Sequence, residues 1–257
     1  MLAKLIKILF FVGCLSFTKP LPASTDSDGL ILSQYYISVA DRLYETQELP
    51  GNLEMSLSFY KKALPYSHLR EDIEWKLARC FWTLAEQTGN HQKKAIFFKK
   101  GIQYGNDAVS RHPKNSFAHT WLSLNTGSSA LHEGVMRSLY KRDTVKEGFE
   151  KAIELNPTNS VAMAGLASWY HHVPALFGGN QQKALSLIDQ AIDLDPKYMV
   201  SRMLKAEFLI SAEQFADAVK ELEALVTISK PRSRWQGTKY KLRAKALIKK
   251  LRKDLSS

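Results

Sequence analysis

Ala152-Ile153-Glu154-Leu155-Asn156-Pro157 closes one apolar helical pattern, and another opens a few residues later. The same ending, alanine, an aliphatic residue, three more positions and proline, recurs at Ala108-Val109…Pro113 and at Ala191-Ile192…Pro196. Proline has no amide hydrogen to give to a helix, so each instance marks a corner. The repeating unit is therefore helix, corner, helix, and a repeat of this length specifies a helical solenoid. Such arrays act mostly as concave surfaces that hold a partner, which shifts the expectation away from catalysis.

From Leu30 onward the apolar stretches pair into antiparallel helices. Five pairs are expected. The first runs from about 33 to 45 and 53 to 64, broken at Pro50-Gly51. The second runs from about 71 to 87 and 92 to 110, with Trp75, Leu77, Ala78 and Phe81 in its first helix and a turn at Gly89-Asn90. The third carries His119-Thr120-Trp121-Leu122-Ser123, then Val145, Phe149 and Ala152. The fourth carries Leu166-Ala167…Tyr170, then Ala184, Ile188 and Ala191. The fifth carries Ala206…Leu209, then Phe215…Ala218, Leu222 and Leu225. These positions resemble the tetratricopeptide pattern, in which small residues let paired helices approach and larger ones fill the gaps between ridges. The expectation is an all-α solenoid over residues 30–257: about five antiparallel pairs plus a C-terminal capping helix.

The corner prolines are unevenly spaced. Pro113 to Pro157 is 44 residues, Pro157 to Pro196 is 39 and Pro196 to Pro231 is 35, against about 34 for a standard tetratricopeptide unit. The excess in the third and fourth pairs falls between the first and second helix, so longer helices or loops project from one edge of the array. Insertions placed consistently mark a candidate binding edge. The third holds Gly127-Ser-Ser-Ala-Leu-His-Glu-Gly134 followed by Val135-Met-Arg-Ser-Leu-Tyr140. The fourth is Trp169-Tyr170-His171-His172-Val173-Pro174-Ala175-Leu176-Phe177-Gly178-Gly179-Asn180. An aromatic-rich loop beside a proline-glycine turn can line an apolar pocket, or can fold back and plug the solenoid. Trp121, Trp169, Tyr170, His172 and Phe177 are the candidate binding residues, for a protein partner or a small apolar ligand.

The formal charge of +11 is not spread along the chain. From Lys230 to Ser257 there are 11 Lys or Arg against one acid, Asp254. Residues 1–23 contribute three lysines, and the remainder is near neutral. A solenoid gripping nucleic acid along its length would carry a basic stripe through many repeats, so no nucleic-acid partner is expected. In the basic end, Tyr240, Ala244, Leu247, Leu251 and Leu255 form one apolar stripe, with Lys241, Lys245, Lys249 and Lys253 opposite. That amphipathic layout suits a terminal helix covering the last repeat. Its charge adds a second reading, contact with anionic membrane headgroups or an acidic partner.

Residues 1–23 have a basic start at Lys4 and Lys7, a short apolar centre and an exit at Ala23, the layout of a signal peptide. Two exits stay open. Cleavage after Ala23 would release a soluble periplasmic or secreted protein. Alternatively, Phe11-Val12-Gly13-Cys14 resembles a bacterial lipobox, with Cys14 lipidated and the protein anchored in the cell envelope. Ser24 to Gly29 reads as a polar linker in either case.

Catalytic chemistry is not expected. The sequence has no phosphate-cradling glycine loop, nucleophile elbow or metalloprotease helix. Its seven histidines are scattered, and the adjacent His171 and His172 point about 100° apart on a helix, a poor metal geometry. Cys80, within an apolar helix, reads as a buried structural thiol. No metal or cofactor is expected.

A narrower resemblance rests on Gly101-Ile102, Ala108…Pro113, Trp121-Leu122, Ala152 to Pro157, Tyr170-His171-His172-Val173-Pro174…Gly178-Gly179 and Trp235…Ala244…Leu247. Over roughly residues 70 to 250 the chain resembles the T-component proteins associated with bacterial tripartite (TRAP) transporters. That resemblance implies a periplasmic accessory protein, which assists a substrate-binding protein in handling organic acids or hydrophobic ligands. The leading expectation is an exported, non-enzymatic helical-repeat protein mediating protein–protein interaction in a bacterial envelope; the accessory transport role is the alternative.

Overall fold

The computed structural model describes residues 26–66, 73–231 and 234–255. The expected signal segment and Cys14 lie outside these residues. All regular structure among the described residues is helical. The first four pairs are α1 (Asp26–Glu45) with α2 (Asn52–Ala63), α3 (Glu74–Gln87) with α4 (His91–Arg111), α5 (Ser116–Glu133) with α6 (Val135–Leu155), and α7 (Ser160–His172) with α8 (Gln181–Leu194). A fifth pair, α9 (Met199–Ser211) and α10 (Phe215–Thr227), is covered by α11 (Arg234–Leu255). The chain is thus a helical solenoid of five antiparallel pairs with a terminal helix. Helix α1 starts at Asp26, inside the stretch read from composition as a linker.

The corner proline does the same work three times. Pro113, Pro157 and Pro196 each stand two residues after the last helical residue. The residue before each leaves the helical region: His112 at φ −130°, ψ 65°, Asn156 at φ −144°, ψ 95°, and Asp195 at φ −141°, ψ 80°. Steric conflict with the proline ring drives this change, so the stop is local chemistry. Restarts are often capped by asparagine. The side chains of Asn90, Asn115, Asn159 and Asn180 accept from the backbone amides of Lys93, Phe117 and Ala118, Ala162, and Lys183 respectively.

Packing follows chain order, as a one-dimensional array requires. Ile37, Ala40, Leu53, Tyr60, Leu77, Phe81 and Leu84 bury the first two pairs together. Val145, Phe149, Ala162, Leu166 and Trp169 join the third to the fourth, and Met163, Ala167, Ile188 and Phe208 join the fourth to the fifth. Met203, Leu209, Leu222 and Leu225 pack against Ala244 and Leu251 of α11, with Tyr240 and Leu247 half-buried beside them. Leu255, the last member of the expected stripe, is 54% exposed. Ion pairs fasten the cap: Arg243 to Glu207 of α9 at 2.7 Å, and Arg252 to Glu223 of α10.

The extra length of the third pair goes entirely into helix. α5 has 18 residues and α6 has 21, and only Gly134, at φ 114°, separates them. The fourth pair instead spends its excess on residues 173–180, which include the 3-10 turn Ala175–Phe177. Together they make the edge on which the candidate site lies.

Candidate functional site

An apolar cavity of about 270 Å³ opens where α5, α6 and the end of α7 meet. Small residues create it. Ser123, Gly127 and Ala130 on α5 share a helix face at steps of four and three, and Gly165 and Ser168 on α7 face the same space. Where bulkier side chains would interlock as ridges, these leave a gap. Val145, Phe149 and Trp169 form its buried wall, and Leu124, Leu131, Leu139, Val173 and Pro174 complete the apolar lining.

The Trp169 indole is fixed by its Nε1–H, which donates to the Arg142 backbone carbonyl at 2.8 Å. Arg142 lines the cavity with its guanidinium 5.3 Å from the Phe177 ring centroid, donates to the Leu139 carbonyl at 2.9 Å and pairs with Asp143 at 3.2 Å. His172 is exposed at the rim, its Nδ1 2.8 Å from the Ser168 carbonyl oxygen. Leu131, part of the lining, is 59% exposed. Exposed apolar side chains flanking an apolar cavity are a feature of interaction sites.

Of the five candidate residues, Trp169 and His172 line the cavity. Tyr170 packs edge-on to Trp169 at 5.1 Å and forms part of the core behind it, with the Lys146 and Lys183 ammonium groups over its ring. Phe177, 40% exposed, stands outside the lining, over Arg142. Trp121 lies elsewhere. It is buried edge-on against Trp82 in an inner cluster with Ala78, Val161 and Tyr198, which ties the first helices of successive pairs together. The lining residues Leu131, Leu139 and Arg142 are not singled out by the sequence pattern, although α6 runs i, i+3, i+6 and i+10 through Leu139, Arg142, Val145 and Phe149 along one side.

His171 and His172 do not converge. His171 Nδ1 is 2.7 Å from Gln181 Oε1 and its ring stacks on Phe208 at 4.2 Å, while His172 turns back on its own helix. Among the described residues no group of three or more His, Cys, Asp or Glu could hold a metal ion. Cys80 is fully buried, and burial pushes its thiol up to about 11, so it is protonated at neutral pH.

Five stacked helix pairs with small-residue contacts and proline corners define a tetratricopeptide-type repeat protein. A thermophilic TPR protein of Thermus thermophilus shares this fold, with a TM-score of 0.65 at 17% identity over 84% of this chain and 98% of that one. The family is narrower. The profile of regulator of microtubule dynamics protein 1-3 matches residues 36–252, and the chain belongs to that family. Regulator of microtubule dynamics protein 3 of Rattus norvegicus is 27% identical over 184 residues, covering 72% of this chain and 39% of the relative. Regulator of microtubule dynamics protein 1 of Bos taurus is 27% identical over 183 residues, covering 64% and 55%. The corresponding protein of Pongo abelii is 29% identical over 184 residues, covering 64% and 56%. The chain therefore matches about 40 to 55% of the length of these curated relatives.

These matches correct two expectations. The resemblance to T-component proteins of TRAP transporters does not hold, because the family profile is a different one. The residues that suggested it, alanines, a tryptophan-leucine pair and corner prolines, are packing requirements common to tetratricopeptide-like helices. The periplasmic or envelope localisation falls with it: the relatives that replace the transporter family are mammalian proteins, from cells that have no periplasm. Those relatives are named as regulators, not enzymes.

Proposed function

We propose that this chain is a non-enzymatic protein-interaction module whose α5–α6–α7 cavity receives an apolar anchor from its partner. The observation that carries the reading is the coincidence of two features at one edge: the lengthened third pair and the apolar cavity of about 270 Å³, with the exposed Leu131 in its lining. That volume lies just below the range of about 300–1,000 Å³ usual for small-molecule sites. It fits one or two large apolar side chains, and burying such an anchor is the usual way an interface concentrates its energy. The family name supplies the partner class, proteins that set microtubule dynamics.

A small apolar ligand is the second reading. It is favoured by the buried wall of Val145, Phe149 and Trp169, which can enclose a short hydrocarbon.

The test is co-sedimentation with polymerised tubulin together with assembly turbidity, comparing the native chain with Leu139→Trp, which fills the cavity from half-buried α6. The expected result is binding or altered assembly in the native chain and its loss in the variant. Unchanged behaviour of a folded Leu139→Trp protein would remove the cavity from the interaction. The ligand reading is checked by native mass spectrometry of purified protein; a bound hydrocarbon retained in Leu139→Trp would contradict it.

A further inference from the structure

The outer face of α11 carries a row of five cations, four of which the fold does not use. Arg234, Lys241, Lys245, Lys249 and Arg252 follow one another at steps of seven, four, four and three residues, which places all five on one side of the helix. The apolar side, Tyr240, Ala244, Leu247 and Leu251, is turned to α10 and α9. Of the five, only Arg252 has an acidic partner, Glu223. Arg234, Lys241, Lys245 and Lys249 have no carboxylate within 4.0 Å among the described residues. At a rise of about 1.5 Å per residue the row is about 27 Å long.

We propose that this row is a docking stripe for an acidic, extended polypeptide segment of a partner protein. Geometry favours that occupant. Cations four residues apart on a helix are separated by about 6 Å along its axis. In an extended chain, side chains two residues apart share a face and stand about 6.6–6.8 Å apart. Alternate Glu or Asp residues of an extended run thus meet Lys241, Lys245 and Lys249 nearly charge for charge, with Arg234 about 10 Å further along the axis. Nine Lys or Arg against the single Asp254 in α11 give the charge complementarity, and long-range attraction of this kind raises the encounter rate. A membrane surface fits less well. Helices that lie in a bilayer interface push an apolar face into it, and here that face is already covered by the fifth pair. On the outward side Leu242, 72% exposed, is the large apolar residue within the row.

The stripe is a different surface from the cavity, and variants in one leave the other intact. The probe is a fluorescein-labelled twenty-residue poly-glutamate peptide, titrated by anisotropy against the full chain at low and physiological salt. Binding is expected to weaken with salt. Lys241→Glu, Lys245→Glu and Lys249→Glu together should raise Kd at least tenfold. The same charge change spread over the exposed Lys93, Lys114 and Lys197 should raise it less than threefold. Lys245→Gln with Lys249→Gln, at exposed positions that form no ion pair, should give an intermediate loss without disturbing the fold. Equal losses in the stripe and scattered variants would overturn the proposal, as would tighter binding to phosphatidylserine vesicles or duplex DNA than to poly-glutamate at equal charge concentration.

Discussion

Gly165 stands where α7 crosses α6, and the Phe149 ring occupies the space a Cβ would take. The residue is glycine because two helices meet there at close range, with no special backbone angle involved. Gly165→Ala therefore forces the buried Phe149 to move, at a cost of about 1–3 kcal/mol. For a chain of this size that corresponds to a fall in Tm of about 2–4 °C per kcal/mol, measurable by circular dichroism. His171 offers a test of sign. Burial, the largest influence, and the neighbouring His172 lower its pKa from 6.5, partly opposed by Gln181. A base whose folded pKa is depressed leaves the unfolded chain holding more protons just below pH 6.5. Stability linked to His171 is thus present above that pH and lost as pH falls through the folded value. Urea midpoints at about pH 7.5 and about pH 5 should differ more for the native chain than for His171→Asn. An equal difference would assign the pH dependence elsewhere.

Among the elements, the α6–α7 corner binds the third pair to the fourth through one side chain. Asn159 is buried; its Oδ1 accepts from the Ala162 amide, and its Nδ2 donates to Ser116 Oγ at 2.7 Å and to Thr120 Oγ1 at 3.0 Å. Ser116 Oγ in turn donates to the Ala152 carbonyl at 2.7 Å. Asn159→Ala removes an N-cap worth about 1 kcal/mol and strips hydrogen bonds from buried hydroxyls at about 1–3 kcal/mol. The expected total is about 2–4 kcal/mol, read from chemical denaturation. Much of this level was legible beforehand, because the proline corners and the small-residue faces are local signals. The length of α5 and α6 was less so. Extra residues between two helices read equally as loop or helix until it is seen that Gly134 makes the turn alone and that Val145 and Phe149 continue the buried face of α6.

The molecule as a whole is an array in which each pair leans on its neighbours, so the ends are the weak points. α11 covers Ala218, Leu222 and Leu225. Deleting residues 234–257 should speed amide hydrogen exchange in α9 and α10 at least tenfold and leave α3 and α4 within about twofold, since those helices pack in a separate cluster. Uniform acceleration would mean that the array unfolds as one unit. Burial is the main influence on Lys239 and lowers its pKa, while Glu86 of α3 opposes this and Arg243 and Lys94 reinforce it. An influence of Glu86 and Lys94, from the second pair, on a residue of the cap is one that a nearest-neighbour reading of the repeats would not anticipate.

By itself the sequence determined the helices, their stops and restarts, the pairing order and the location of excess length, because proline stereochemistry, asparagine caps and apolar periodicity act within a few residues. It also localised the charge on the last helix. Only the tertiary structure decided that Trp121 belongs to the inner packing while Trp169 lines a cavity, since both have the same local signature and differ in what faces them from another pair. The cavity itself is tertiary in origin. It exists because Ser123, Gly127 and Ala130 on one helix are opposed by Gly165 and Ser168 on another, a coincidence of small surfaces that no single helix contains.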